Sequence, residues 1–136
     1  MKVIVDTSVW SLYFRRKKAP ECTEIDAFHD LVSEGRAVLL GVVKQELLSG
    51  IKENVRFEKL LGAFSGFEPL LANDNDHILA ARFFNQCRTK GIQGSFIDYL
   101  ICAQAVNGKM SILTTDQDFQ NYSDCLGLQI WKNRAG

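Results

Sequence analysis

Short apolar runs rich in β-branched residues alternate with helix-patterned segments along this chain, and no other feature constrains the fold as much. Lys2 to Val5 is the first such run, and the polar triplet Asp6-Thr7-Ser8 ends it. That pattern suits a buried strand meeting a helix start. Ala37 to Leu40, Phe67 to Leu71, Ser111 to Thr114 and Leu128 to Trp131 read as four further strands. Between them, helices are predicted around Trp10 to Phe14, Glu21 to Glu34, Val42 to Leu48, Asn54 to Phe64, from the Asn73-Asp74-Asn75-Asp76 cluster to Lys90, Ser95 to Val106 and Asp116 to Tyr122. Gly35 and Gly50 follow two of these as helix stops. Strands alternating with helices imply an α/β domain with a largely parallel sheet. The 136 residues fit a single such domain, 1–136, with no repeat or low-complexity segment.

Sixteen basic and sixteen acidic residues cancel to a formal net charge of zero. A protein that grips nucleic acid through bulk positive charge is therefore not expected, although local charge leaves nucleic acid open. Cys22, Cys87, Cys102 and Cys125 are widely spaced and form no C-x-x-C pair, which argues against a zinc site or a disulfide scaffold. They are expected to be reduced and mostly packed. No apolar stretch reaches the roughly 20 residues of a membrane span, and the start of the chain does not resemble a signal peptide. A cytoplasmic location is the resulting expectation.

Four acids stand where chemistry can use them, and each also has a plainer reading. Asp6 and Asp116 follow strands, and open α/β sheets bind ligands beyond the carboxyl ends of strands. Either could equally cap the helix after it. Glu46 has Val42 and Val43 one turn before it, which places it on or beside a core-facing stripe, where an acid is rarely buried unless paired or metal-bound. The alternative is a rim glutamate reaching water. Asp98 stands in Ser95-x-x-Asp98, a capping-box pattern, yet Ile101, Cys102 and Ala105 continue its face along the helix and turn it inward. Asp118, in Thr115-x-x-Asp118, reads mainly as a cap.

Converging carboxylates repel one another unless cations neutralise them. All-oxygen ligands select hard ions, so Mg²⁺ or Mn²⁺ is the expected cofactor. Such an ion can bind a phosphodiester and activate water without help from histidine. His29 and His77 fall in helical segments and are expected at the surface. There is no Walker-type or dinucleotide-binding motif. Asp74-x-Asp76 reads as a helix cap rather than a calcium loop. The run Arg15-Arg16-Lys17-Lys18 is either a solvated helix end or a grip for RNA phosphates.

Four motifs in order, V-I-V-D-T-S-V-W, K-Q-E-L-L-S-G, F-I-D-Y-L-I-C-A-Q-A and I-L-T-T-D-Q-D-F, resemble those of the PIN-domain ribonucleases, above all the VapC toxins of bacterial toxin–antitoxin pairs. The resemblance spans nearly the whole chain. It implies a three-layer α/β/α sandwich around a mainly parallel five-stranded sheet of order 3-2-1-4-5, with the first and fourth strands adjacent. It also implies that Asp6, Glu46, Asp98 and Asp116 form the metal site, with Asp6 and Asp98 the most direct ligands. The implied partners are an RNA substrate, a cognate antitoxin protein and a second copy of the chain. A stand-alone RNA-processing nuclease is an alternative, and a non-catalytic binding module another. The intact acids argue against the latter. A phosphoaspartate enzyme is disfavoured because Asp6 lacks a second Asp two residues on.

Overall fold

The computed structural model describes residues 1–14 and 23–132. The basic run Arg15–Lys18, the helix start expected at Glu21, and Cys22 lie outside the described residues. The element order is β1 (Val3–Val5), α1 (Thr7–Phe14), α2 (Thr23–Ser33), β2 (Ala37–Val38), α3 (Gly41–Leu48), α4 (Asn54–Ala63), α5 (Asp74–Thr89), α6 (Phe96–Gly108), β3 (Ser111–Leu113) and α7 (Asp118–Leu126).

The sheet is parallel, with order β2-β1-β3. Successive residues of a strand point to opposite faces. Because Val3, Ile4 and Val5 are all fully buried, both faces of β1 must be covered. The register Val3↔Ser111, Ile4↔Ile112, Val5↔Leu113 sets β1 and β3 side by side, and their carboxyl ends coincide.

The expectation of five strands needs correction: three form among the described residues. Phe67–Leu71 supplies only one parallel bridge, Leu40↔Leu70, and Leu128–Trp131 only Ile112↔Ile130. Each bridge is closed by two backbone bonds: Leu70 N–H to Leu39 O and Gly41 N–H to Leu70 O, then Ile112 N–H to Gln129 O and Trp131 N–H to Ile112 O. Leu70 turns both its N–H and its carbonyl to the β2 side, so Pro69, which has no N–H to give, falls on the outer edge, where an edge strand tolerates proline.

Trp10 anchors one side of the core. It is fully buried, its indole N–H donates to Val5 O at 3.1 Å, and Phe14, Phe28, Phe64 and Phe67 surround its ring. On the other side, α5 packs against α6 and α7. The cap expected at α5 forms as a full capping box between Asn73 and Asp76, and Asn107 also donates to Asp76. His29 and His77 are exposed on α2 and α5. Cys87, Cys102 and Cys125 are free thiols, the first two buried.

Candidate metal centre

The chain runs from β1 to β2 on one side and reaches β3 on the other, so the strand order reverses at β1. Asp6 stands at that switch point, where open α/β sheets hold their ligands. Its N–H donates to Leu113 O at 2.9 Å, which continues the β1–β3 ladder by one residue. The residue is 4% exposed. Ser8 Oγ and Thr114 Oγ1 each donate to Asp6 Oδ2 at 2.8 Å, and Ser8 N–H lies 3.4 Å from the same oxygen. Burial nevertheless raises the pKa of Asp6 above its ordinary value, outweighing these hydrogen bonds. No lysine or arginine pairs with it among the described residues.

Asp116 lies three residues beyond β3. Its N–H donates to Thr114 Oγ1 at 2.9 Å, and its Oδ1 accepts from Asp118 N–H at 2.9 Å. Asp116 therefore closes the turn just before the helix and is not its N-cap, so the capping reading needs correction. The Asp118 reading changes, because Gln117 is the N-cap and gives no side-chain bond. The helix begins later than Asp116, which holds its turn from outside.

Asp98 sits in the first turn of α6, where Ser95 Oγ accepts from Asp98 N–H at 3.0 Å. The N-cap is therefore real. The Asp98 carboxylate turns elsewhere: the Tyr122 hydroxyl donates to its Oδ2 at 2.8 Å. Ile101, Cys102 and Ala105 are buried, as the inward face required. Burial raises the Asp98 pKa, the Tyr122 bond opposes it, and the charges of Asp6 and Asp116 raise it further. The three aspartates thus share one electrostatic environment. Cys102 lies behind them, its thiol pushed up first by burial and then by the Asp98 charge.

Glu46 departs from its expected setting. It is exposed, and the buried stripe of α3 runs through Val43 instead. Val42, one turn before it, is itself only half-buried, so the stripe passes to one side. Glu46 still joins the network, because the Thr7 hydroxyl donates to its Oε1 at 2.6 Å. Thr7 and Ser8 follow Asp6 directly, so one loop touches both acids.

Sequence reasoning missed the hydroxyl shell of Thr7, Ser8, Thr114 and Tyr122. The first three were visible as neighbours of acids in D-T-S and T-T-D; Tyr122 carried no local signal. Beside Asp116, a cavity of about 430 Å³ opens between α2 and the end of β3, lined in part by Thr115, Gln117, Gln120 and Trp131.

Among the described residues, no three His, Cys, Asp or Glu side chains stand close enough to grip one ion together. The donor set still suits a hard cation. It is all oxygen, it includes a buried carboxylate without a cationic partner, and Mg²⁺ takes only one or two carboxylates directly while keeping several waters.

The PIN domain profile matches residues 3–124. No curated protein sequence matches the chain. Among solved structures, the fold is similar to FitAcB from Neisseria gonorrhoeae, at 16% identity and TM-score 0.73, covering 96% of each chain. It is also similar to DNA-bound VapBC from Salmonella typhimurium, at 17% identity and TM-score 0.73, covering 96% of this chain and 97% of that one. A third is VapBC-5 from Mycobacterium tuberculosis, a member of the VapBC family of toxin–antitoxin systems, at 19% identity and TM-score 0.70, covering 96% and 98%. These identities speak for the shared fold. With a profile match over nearly its whole length, the chain belongs to the PIN domain family.

Proposed function

We propose that this chain is a Mg²⁺-dependent endoribonuclease, the toxin of a toxin–antitoxin pair, that hydrolyses RNA phosphodiester bonds at Asp6, Glu46, Asp98 and Asp116. Membership in the PIN domain family supports a nuclease. The observation that carries the reading is Asp6: a buried carboxylate at the switch point, raised in pKa, near two further aspartates, and without a basic partner among the described residues. A buried charge is costly unless something opposite compensates it.

Asp6 and Asp98 would hold the cation most directly, with Asp116 and Glu46 around it. A bound Mg²⁺ supplies charge neutralisation at the phosphate and lowers the pKa of an attacking water. The chain's own residues orient and balance charge. Ser8 and Thr114 fix one oxygen of Asp6, Thr7 ties Glu46 to the same loop, and the Thr114 hydroxyl links Asp6 to the backbone of Asp116.

The partners in this reading are single-stranded or structured RNA, an antitoxin protein that covers the active-site groove, and a second copy of the chain. The likeness to VapBC and FitAcB structures supports the antitoxin. For the second copy, the support is an apolar groove between α5 and α6, bordered by Phe96, which is 78% exposed. No described helix is long and apolar enough to cross a membrane.

The test is Asp98→Asn. The variant is expected to melt cooperatively like the wild type and to lose RNA cleavage and growth inhibition. Full cleavage by a contaminant-free Asp98→Asn preparation, or by wild type in excess EDTA, would sink the metal mechanism. Sequencing of new RNA 5′ ends after wild-type expression identifies the substrate.

A further inference from the structure

We propose that Tyr122 is a positioning residue: its hydroxyl holds the Asp98 carboxylate in the orientation that serves a divalent cation, and Gly94 is the gap that admits its ring. The proposal rests on Asp98 being a metal-site acid. Tyr122 lies on α7, 24 residues from Asp98, and is 1% exposed. Its hydroxyl reaches Asp98 Oδ2 at 2.8 Å, a charge-assisted bond of the stronger kind.

Three contacts leave the ring little freedom. Tyr99 packs against it with centroids 5.2 Å apart, and Phe119 meets it edge-on at 5.1 Å. The third is the backbone of Gly94, in the turn before α6. A Cβ at Gly94 would lie 2.6 Å from the Tyr122 hydroxyl oxygen, 2.9 Å from Tyr122 Cζ and 2.9 Å from Tyr99 Cζ. Gly94 does not have the left-handed backbone of Gly91, so space rather than conformation demands a glycine here.

The physical need for such a hold follows from charge. Asp98 shares its environment with Asp6 and Asp116, and like charges favour its rotation away from them. A carboxylate at the first turn of a helix has staggered alternatives open to it. The Tyr122 bond selects one of them before any cation arrives. A plain alternative is that Tyr122 only satisfies its own buried hydroxyl, and the experiment below separates the two.

The full chain is prepared as wild type, Tyr122→Phe, Gly94→Ala, Asp98→Asn and Tyr99→Phe. Tyr99 is the control: it is equally buried, and its hydroxyl lies 3.4 Å from Ile92 O rather than on Asp98. Mn²⁺ binding is titrated by electron paramagnetic resonance of the free ion, and the Mg²⁺ dependence of RNA cleavage is measured alongside. Loss of a group that orients a ligand typically weakens metal binding about 10–100-fold. Tyr122→Phe is expected to raise both metal constants by that factor, with kcat at saturating Mg²⁺ within a few-fold of wild type. Gly94→Ala should shift them in the same direction, and it decides the matter should Tyr122→Phe fail to fold. Tyr99→Phe should change the melting temperature alone. A Mn²⁺ constant for folded Tyr122→Phe within twofold of wild type overturns the proposal, as does an equal shift in Tyr99→Phe. Tight Mn²⁺ binding and cleavage by Asp98→Asn would instead overturn the reading of the site itself.

Discussion

Replacing Asp6 with Asn removes one charge from the most buried acid of the site and keeps its shape. An amide oxygen can still accept from Ser8 Oγ and Thr114 Oγ1, which both point at Oδ2. In the folded, metal-free protein, burial raises the Asp6 pKa above its ordinary value of 3.8. The unfolded chain therefore gives up this proton more readily than the folded one. Stability tied to the group is complete below pH 3.8 and is lost as pH rises through the raised folded value. As pH rises above 3.8 the wild type takes on a growing penalty, about 1.4 kcal/mol for each unit of displacement. Asp6→Asn lacks that penalty and also relieves Asp98 of a neighbouring charge. In EDTA at pH 7 it should melt above the wild type, with the advantage shrinking below pH 4.

Magnesium should reverse the ranking. A ligand that binds only the folded state adds about 2.7 kcal/mol at 100 times its Kd. For a chain of this size about 4 °C follows from each kcal/mol, so the wild type gains about 11 °C. If loss of the carboxylate weakens binding on the order of 100-fold, the same magnesium gives the variant about 0.4 kcal/mol, or about 2 °C. Differential scanning fluorimetry at pH 7 and pH 4, with EDTA or Mg²⁺, reads all four corners. Two results refute the reasoning: a variant less stable than wild type in EDTA at pH 7, or an equal gain from Mg²⁺ in both.

Two further outcomes concern the scaffold and its surface. Trp10→Ala empties the space between Phe28, Phe64 and Phe67 and deletes the bond to Val5 O, so urea denaturation should show a loss of about 3–5 kcal/mol. A loss below about 1 kcal/mol would mean that the aromatic cluster relaxes around the cavity. Phe96→Ser should convert the proposed dimer to a monomer in size-exclusion chromatography with light scattering. An unchanged dimer places the interface away from the α5–α6 groove.

The interior of the fold was legible and its edges were not. Val3–Val5 and Ser111–Leu113 are short, mostly aliphatic runs whose residues are all buried, as strands covered on both faces require, and that pattern needs no partner to be read. The edge segments Phe67–Leu71 and Leu128–Trp131 have strand-like composition too. Whether they pair over several residues depends on the neighbouring chain, and each ends as one bridge. Glu46 shows the same limit in a helix. Its i−3 and i−4 neighbours are valines, but the core lies on the Val43 side, and a two-turn helix is too short to fix its rotation from spacing alone.

Asp98 shows why one residue can satisfy two readings without conflict. Its backbone N–H is spent on the Ser95 cap, while its carboxylate is turned to Tyr122 and shares the field of Asp6 and Asp116. A local motif reports only the first of these, because a cap is made within four residues. The second depends on a tyrosine 24 positions later and a glycine whose missing side chain makes room for it. The same division holds at Asp116, where the helix-turn bond to Asp118 uses one oxygen and the Thr114 hydroxyl ties the residue back to Asp6. Helix-start and turn bonds are thus the means by which Asp98 at the head of α6 and Asp116 just beyond β3 are fixed. An acid that already spends its main chain or one oxygen on a turn reaches the site with less orientational entropy left to lose. If that is how the site is built, breaking a cap should weaken metal binding as well as the helix. Ser95→Ala, which removes the bond to Asp98 N–H and the weaker Ser95 hold on the carboxylate but leaves its tie to Tyr122, should cost about 1 kcal/mol of stability and raise the Mn²⁺ constant with it. A loss of stability with an unmoved constant would show that cap and ligand act independently.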